Sequence, residues 1–512
     1  MILILTLCLI LAPILLSFIF LNRTADRHRR LPLPPGPKGW PLLGNLFQLG
    51  SNPTHQTLQT LSRSHGCDGL LHLRFGIVDV IVLSTASAVA KCFCNHDVNL
   101  SSRPLDSTGK LMAYNAQDLI LAPYGRRWRM MRKICSSHLF SNKALNEFQD
   151  VRHGEVVRLV RDFAGRKAVV NVGEMVSICA VNALSLVLVG RRISAGDEEA
   201  LQFKEMAIEL TRLAGQPNIG DFLPWIDWLD LQGLTKKIKK SYGRFADFIE
   251  KIIVEHHRMN GDDQFKGRNH INDFLTKLIE TKESAEGEED KLTNINIKAL
   301  LQDMFIAGTD TVSVAIEWIL TELIRHPKLL ARAQQEIDSI VGYNRLISES
   351  DLSKFSFLHC IVKESFRLHP PAPLSVPRMA IEDCVVDGFL IPKGATVLVN
   401  VWAIGRDPVS WPDDPSEFKP DRFGPSAPHE NVDVKGKDFE FIPFGAGRRI
   451  CAGMNLGLRM VHLVTATLVH SFDWTLADGD MVDMEESTGI TMRKRRPLMA
   501  KAILRLAPEV YI

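Results

Sequence analysis

Apolar residues recur at three- and four-residue spacing along most of the chain. The stretches "QTLQTLSRS", "SAVAKCFCN", "WRMMRKICSSHLF" and "FADFIEKIIVEHH" each predict an amphipathic helix. The longest such run is "TNINIKALLQDMFIAGTDTVSVAIEWILTELIRHP", where Thr293 can cap the start and Pro327 stops the helix. About 33 residues at ~1.5 Å each give roughly 50 Å, enough to cross a whole domain. Its middle, "AGTDT", sets Gly308, Asp310 and two threonines in an otherwise apolar rod. Glycine there costs about 1 kcal/mol against alanine, and threonine hydroxyls can divert backbone bonds. The segment is therefore either a packing notch or a functional site. Alternation is rarer. "VDVIVLS" predicts a strand, and residues 383–404 predict two strands around a Pro-Lys-Gly turn. A polar tract from Met259 to Lys291 reads as a linker, with "KESAEGEEDK" as a solvated loop. No internal repeat breaks the body. The expected class is mainly α with a minor β-sheet region, in a single large domain spanning 50–512.

The amino end follows another pattern. "MILILTLCLILAPILLSFIFL" carries no charge, and Arg23, Arg27, Arg29 and Arg30 follow it. About 20 apolar residues span a bilayer. A signal peptide's basic leader, short core and small-residue cleavage site are not evident. Residues 1–22 are thus expected to be a transmembrane signal anchor, and the trailing arginines place the body in the cytosol. Residues 23–49 form a basic and proline-rich hinge. Pro32, Pro34, Pro35, Pro37 and Pro41 stiffen it, as a linker or a rigid spacer.

Composition excludes more than it assigns. Net charge is +2, which gives no reason to expect nucleic-acid binding. The nine cysteines are odd in number and lack framework spacing, which favours a reducing compartment. Cys92 and Cys94 lack the second pair that a zinc site needs.

One cysteine stands in unusual company. "FGAGRRICAG", residues 444–453, sets Cys451 among three glycines and two arginines, just before the helical run "MNLGLRMVHLVTATLVHSF". Glycines permit tight turns and close approach to something flat. A helix amino terminus and Arg449 are both expected to lower the thiol's pKa. A lone cysteine is more often a small buried hydrophobe, so the context must decide. Phe444, Gly447, Arg449, Cys451 and Gly453 match F-x-x-G-x-R-x-C-x-G, which resembles the heme-binding signature of the cytochrome P-450 family. At average residue frequencies that match arises by chance on the order of once in ten thousand such chains. Four more passages follow the family's pattern: "WRMMR" (Trp128, Arg132), "AGTDT" (Asp310, Thr311), "ESFR" (Glu364, Arg367) and "PDRF" (Arg422).

The resemblance implies a cytochrome P-450 fold, with heme b as cofactor and Cys451 as the iron's ligand. It implies that Trp128, Arg132, Arg449 and Arg378 meet the heme carboxylates. Asp310 and Thr311 become the catalytic acid–alcohol pair that delivers protons, and Glu364, Arg367 and Arg422 a structural ion network. NADPH electrons would arrive through a membrane-bound reductase, with Arg126, Arg127, Lys133 and Arg448 as its contacts. One departure is Val312, where many relatives carry a hydroxyl residue. Within the family the chain most resembles plant microsomal flavonoid B-ring hydroxylases, in passages such as "NVDVKGKDFEFIPFGAGRRICAGMNLGLRMV". That implies an endoplasmic reticulum membrane protein in contact with lipid, acting on a flavonoid and O2. Thr491 in "GITMRK" resembles the 3'-specific pattern. The 3',5' outcome, another phenolic or terpenoid substrate, a heme-thiolate isomerase and a non-catalytic heme sensor are the alternatives. By the same resemblance Phe305, Ala307, Thr309, Ala372 and Thr491 line the substrate pocket. The basic run from Arg493 to Arg496, where relatives are mostly neutral, is expected to face solvent, since burying unpaired cations is costly.

Overall fold

The computed structural model describes residues 31–193, 197–261, 273–284, 291–476, 482–487 and 489–512. The expected anchor, 1–22, and the first residues of the hinge lie outside the described residues. Helices dominate, and the long one spans Asn294–Arg325. The Thr293 hydroxyl accepts from the Asn296 amide, and the Asn296 side chain accepts from the Thr293 amide, so the start is capped twice. His326 and Pro327 end it, and most of its length is buried. It is the central rod of the molecule.

Two apolar helices, Val172–Val189 and Met454–Ser471, pack along the rod. Val172–Val189 and the rod itself are long and apolar enough to cross a membrane, yet both are mostly buried inside the protein. A Cβ built on Gly308 would stand 2.8 Å from Leu184 Cδ2, so the mid-rod glycine is a notch for the neighbouring helix. The hydroxyls of Thr309 and Thr311 donate to the carbonyls of Phe305 and Ala307, each at 2.7 Å.

The sheet component is small. Strands β1 (Leu70–Phe75) and β2 (Val78–Leu83) form an antiparallel hairpin. A second strand pair, β3 (Val170–Asn171) with the carboxy-terminal β9 (Met499–Leu504), continues into β8 (Phe472–Leu476). The expected two strands of 383–404 are three, because Asp387 and Gly388 take positive φ and fold the first into a hairpin. Its arms are β5 (Cys384–Val386) and β6 (Phe389–Ile391). Beyond Pro-Lys-Gly, β7 (Thr396–Val399) runs parallel to β2 and antiparallel to β4 (Arg378–Met379).

Two stretches read as connectors contribute to the body through their described residues, whereas 262–272 and most of the expected loop "KESAEGEEDK" lie outside the described residues. The described part of the proline-rich tract lies against the sheets. The Pro35 carbonyl accepts from the His72 amide at 2.9 Å, and the Pro32 carbonyl from the Leu390 amide at 2.8 Å. Proline loses its donor but keeps its acceptor, so an extended proline run can satisfy a strand edge without propagating the sheet. Inside the polar tract, Asp273 caps a helix, Phe274–Glu283, that buries Phe274, Leu275 and Leu278. Three apolar residues on one face suffice where neighbouring helices supply the other wall.

Candidate active site

The cysteine loop is held by its own backbone. The Cys451 amide donates to the Phe444 carbonyl at 2.9 Å, which closes the loop. Gly445 and Gly447 take φ of 75° and 64°. At Gly447 a Cβ would fall 2.2 Å from Asp97 Oδ1. That carboxylate also accepts from the Arg448 amide at 3.1 Å and from Arg448 Nη1 at 2.8 Å. Gly453 precedes the helix Met454–Ser471 and leaves ordinary space, with the Phe140 ring 3.5 Å from a built Cβ.

The Cys451 thiol opens onto an internal cavity, and that is the sense in which it is exposed. Burial raises its pKa, against the Gly453 amide and Arg132, which lower it. The lowering expected from Arg449 is absent. That guanidinium turns away, with Nε donating to Ser101 O at 2.6 Å and Nη2 to Ala122 O, and it lies 4.5 Å over the Trp128 ring. A metal bound to the sulfur would displace the proton outright.

Across the cavity from the loop runs the long helix. Met304, Ala307, Gly308, Thr311, Val312 and Ala315 reach the cavity, a spacing of three and four that marks one helical face. Phe305 and Thr309 fall off that face, contrary to the expectation from resemblance. Phe305 packs edge-on against Phe203 at 5.2 Å between centroids, and Thr309 is buried on its own backbone. Ala307 and Ala372 do line the wall. Thr491 does not: its hydroxyl donates to Asp310 Oδ2 at 2.6 Å. Arg493 also points inward rather than to solvent, with Nε 3.0 Å from Asp310 Oδ2 and Nη2 2.6 Å from Oδ1. The cost of half-burying that cation is offset because its carboxylate stands beside it. Lys494 is buried as well, its ammonium 4.7 Å over the Trp318 ring. Asp310 and Thr311 are thus neighbours in sequence that face different surroundings.

One edge of the cavity is cationic. Arg103, Arg132 and Arg449 all reach it. Among the described residues none of the three is in a salt bridge with a carboxylate, and Arg449 Nη1 is buried without a hydrogen-bond partner. Burial, with Arg449 and Arg378 nearby, pushes Arg103 well down, and burial with Arg378 brings Arg449 to about 10. Arg378, expected at the same edge, instead donates to Ala446 O at 2.6 Å and pairs with Asp97 at 3.3 Å. It braces the cysteine loop. Trp128 contributes its ring, but its indole N–H is spent on Leu119 O at 3.0 Å. Arg103 has no counterpart in the sequence reading. It stands alone in "SSRP", outside any periodic pattern, and only the fold brings it here.

Buried cations without anions are costly, and the arrangement calls for a group with carboxylates at one edge. A flat, largely apolar ring with carboxylates at one edge, whose metal the Cys451 sulfur would ligate, would suit this lining. Heme b fits these residues.

Behind the loop, Glu364 and Arg367 pair through two bonds of 2.7 and 2.8 Å, both fully buried. Arg422 Nε approaches Glu364 Oε1 at 3.4 Å, and Arg367 also donates to the carbonyls of Gly405, Pro415 and Glu417. The pair ties the helix Ser356–Leu368 to the meander that precedes the cysteine loop.

Residues 34–501 match the family model for Cytochrome P450. A flavonoid 3'-monooxygenase of Crocosmia x crocosmiiflora is 50% identical, covering 98% of each chain. One of Petunia hybrida is 49% identical, covering 99% of each. A flavonoid 3',5'-hydroxylase of Crocosmia x crocosmiiflora is 46% identical over 98% of this chain and 97% of its own. In overall shape the chain is similar to a solved zebra fish cytochrome P450 structure with progesterone. The TM-score is 0.75 at 23% identity, covering 88% of this chain and 99% of that one.

Proposed function

The chain belongs to the cytochrome P450 family and is a heme-thiolate monooxygenase; we propose that it hydroxylates the B-ring of a flavonoid at the 3' position. The observation that carries this reading is the near-half identity, end to end, with flavonoid 3'-monooxygenases, above the 46% shared with the 3',5'-hydroxylase. Thr491 no longer supports it directly, since that side chain touches Asp310 and not the cavity.

Cys451 would hold the heme iron, and Arg103, Arg132 and Arg449 its carboxylates. Bound there, heme supplies the oxygen activation that an electron-rich thiolate ligand favours. The protein's own part is to bind, orient and protonate. Apolar walls suit a planar aromatic substrate and exclude bulk water. The Thr311 hydroxyl gives its proton to Ala307 O, so its oxygen lone pairs face the cavity as acceptors. Asp310, one position earlier, is the acid that connects this alcohol to outside protons. NADPH, a proton, O2 and the flavonoid become NADP+, water and the hydroxylated flavonoid.

The electrons come through a reductase. Exposed Arg126, Arg127 and Lys133 offer it a cationic surface near the cysteine loop, whereas Arg448 is already bound to Asp97. Residues 1–22 anchor the chain in the endoplasmic reticulum membrane, with the body from about residue 31 on the cytosolic side. Exposed Trp40, Phe47, Ile77, Trp225, Trp228 and Leu231 support contact with lipid. The segments that carry them adjoin the β1–β2 tip, where the Ile77 amide donates to Phe222 O at 3.1 Å and the Gly76 amide to Leu43 O at 3.3 Å.

The test uses membranes containing the full chain and a reductase, supplied with NADPH, O2 and naringenin, dihydrokaempferol or apigenin. The expected product gains one hydroxyl to form a B-ring catechol, and Cys451→Ala loses both this product and the thiolate-type carbon monoxide spectrum. A trihydroxylated B-ring as main product, or turnover without NADPH, overturns the assignment.

A further inference from the structure

Asp310 is the one carboxylate of the mid-rod polar cluster, and none of its hydrogen bonds points at the cavity. Its Oδ2 accepts from Thr491 Oγ1 at 2.6 Å and from Arg493 Nε at 3.0 Å, while Arg493 Nη2 lies 2.6 Å from Oδ1. Oδ2 is hydrogen-bonded twice, Oδ1 faces the Arg493 guanidinium as an ion pair, and the side chain is only 12% exposed. The segment that does this is itself tied at two further points. The Met492 carbonyl accepts from Trp318 Nε1 at 2.8 Å, eight residues along the rod and on the same face as Asp310. The Met492 amide donates to the Pro371 carbonyl at 2.9 Å. Pro371 and Ala372 form part of the cavity wall. A short strap, Thr491 to Arg493, therefore joins the wall that a substrate would touch to the acid.

We propose that Thr491 and Arg493 latch the Asp310 carboxylate away from the cavity, and that substrate pressing on the Pro371–Ala372 wall shifts Met492 and releases it. The inference rests on the reading of Asp310 as the proton-delivering acid. It makes Arg493 a positioning residue whose effect passes wholly through Asp310. It also accounts for an arginine turned inward where solvent was expected. In an empty enzyme the latch keeps the acid from Thr311. This limits the wasteful reaction in which NADPH, a proton and O2 give NADP+ and hydrogen peroxide, two electrons passing to the O2.

The experiment compares the full chain in membranes with its reductase, with and without naringenin. Arg493→Gln is expected to raise substrate-free NADPH oxidation about threefold, matched by peroxide, with the KM for naringenin unchanged. Arg493→Lys should restore the low rate, and Asp310→Asn added to Arg493→Gln should abolish the rise. A second measurement does not depend on turnover. Thermal midpoints of the heme-loaded parent, Asp310→Asn, Arg493→Gln and the double variant are expected to be non-additive, as for directly paired groups. An unchanged leak in Arg493→Gln, a leak that survives Asp310→Asn, no rescue by lysine, or additive midpoints would each overturn the latch. If Asp310→Asn alone leaves product per NADPH unchanged while the midpoints stay non-additive, the pair exists but the proton-delivery reading fails, and the gating with it.

Discussion

Two glycines in the cysteine loop separate backbone conformation from crowding. Gly445 and Gly447 both take positive φ, but a Cβ at Gly445 would find nothing nearer than 4.0 Å, whereas at Gly447 it would strike Asp97 Oδ1 at 2.2 Å. Gly445→Ala is expected to cost about 1 kcal/mol from backbone strain alone. Gly447→Ala should cost at least about 2 kcal/mol more and release heme, because Asp97 also holds Arg448 and Arg378. Thermal midpoints and the carbon monoxide spectrum of the two variants check this; equal losses would mean that the Asp97 contact is irrelevant. At this scale residue types were legible and orientations were not. Arg449 and Arg493 were both noticed in the sequence, and each points where charge pattern alone could not say. Arg449 turns to backbone carbonyls, and Arg493 to a carboxylate far away in sequence.

Elements are joined by a few buried charges, and Glu486 shows how much one can hold. It accepts from His55 at 2.6 Å, Gln56 at 2.8 Å and Trp402 at 2.9 Å, binding the helix Thr54–His65 to the short helix Val401–Ile404 that follows β7. Burial alone would raise its pKa, but His55, Arg406 and Trp402 outweigh that and hold it at about 2. The folded value lies below the ordinary 4.5, so the associated stability is present above pH 4.5 and is lost as pH falls toward 2. Glu486→Gln should therefore lower stability at pH 7 by up to about 3 kcal/mol. The gap to the parent should close as the pH falls below the ordinary value, read from thermal midpoints across a pH series. A pH-independent gap would assign the loss to packing. Periodicity predicted the helices well, as the long rod and its Thr293 cap illustrate. It missed the hairpin at Asp387–Gly388 and the docking of the prolines, because both depend on an edge supplied from elsewhere in the chain.

At the scale of the whole molecule, one group of exposed apolar residues gathers in neighbouring segments, while others, Val409 among them, belong elsewhere in the chain. Trp228 is 80% exposed, Phe47 68% and Trp40 64%, and the segments that carry them flank the β1–β2 tip. On the proposed membrane-anchored reading, this side is expected to rest on the bilayer. Quenching of tryptophan fluorescence by brominated lipid should fall clearly in a Trp225→Ala, Trp228→Ala variant and little in Trp411→Ala, which is fully buried; equal losses would remove the lipid contact. Membership of the heme-thiolate family and the mainly helical class were determined by the sequence itself. A thiol loop needs its glycines in fixed order, and a helix needs its apolar residues at a fixed period, so both leave local traces. Only the tertiary structure decided that Arg103 joins the cationic edge, that Phe305 and Thr309 leave the pocket, and that Arg493 reaches Asp310. Those outcomes depend on which helix face meets which strand, and long-range packing leaves no local pattern to read.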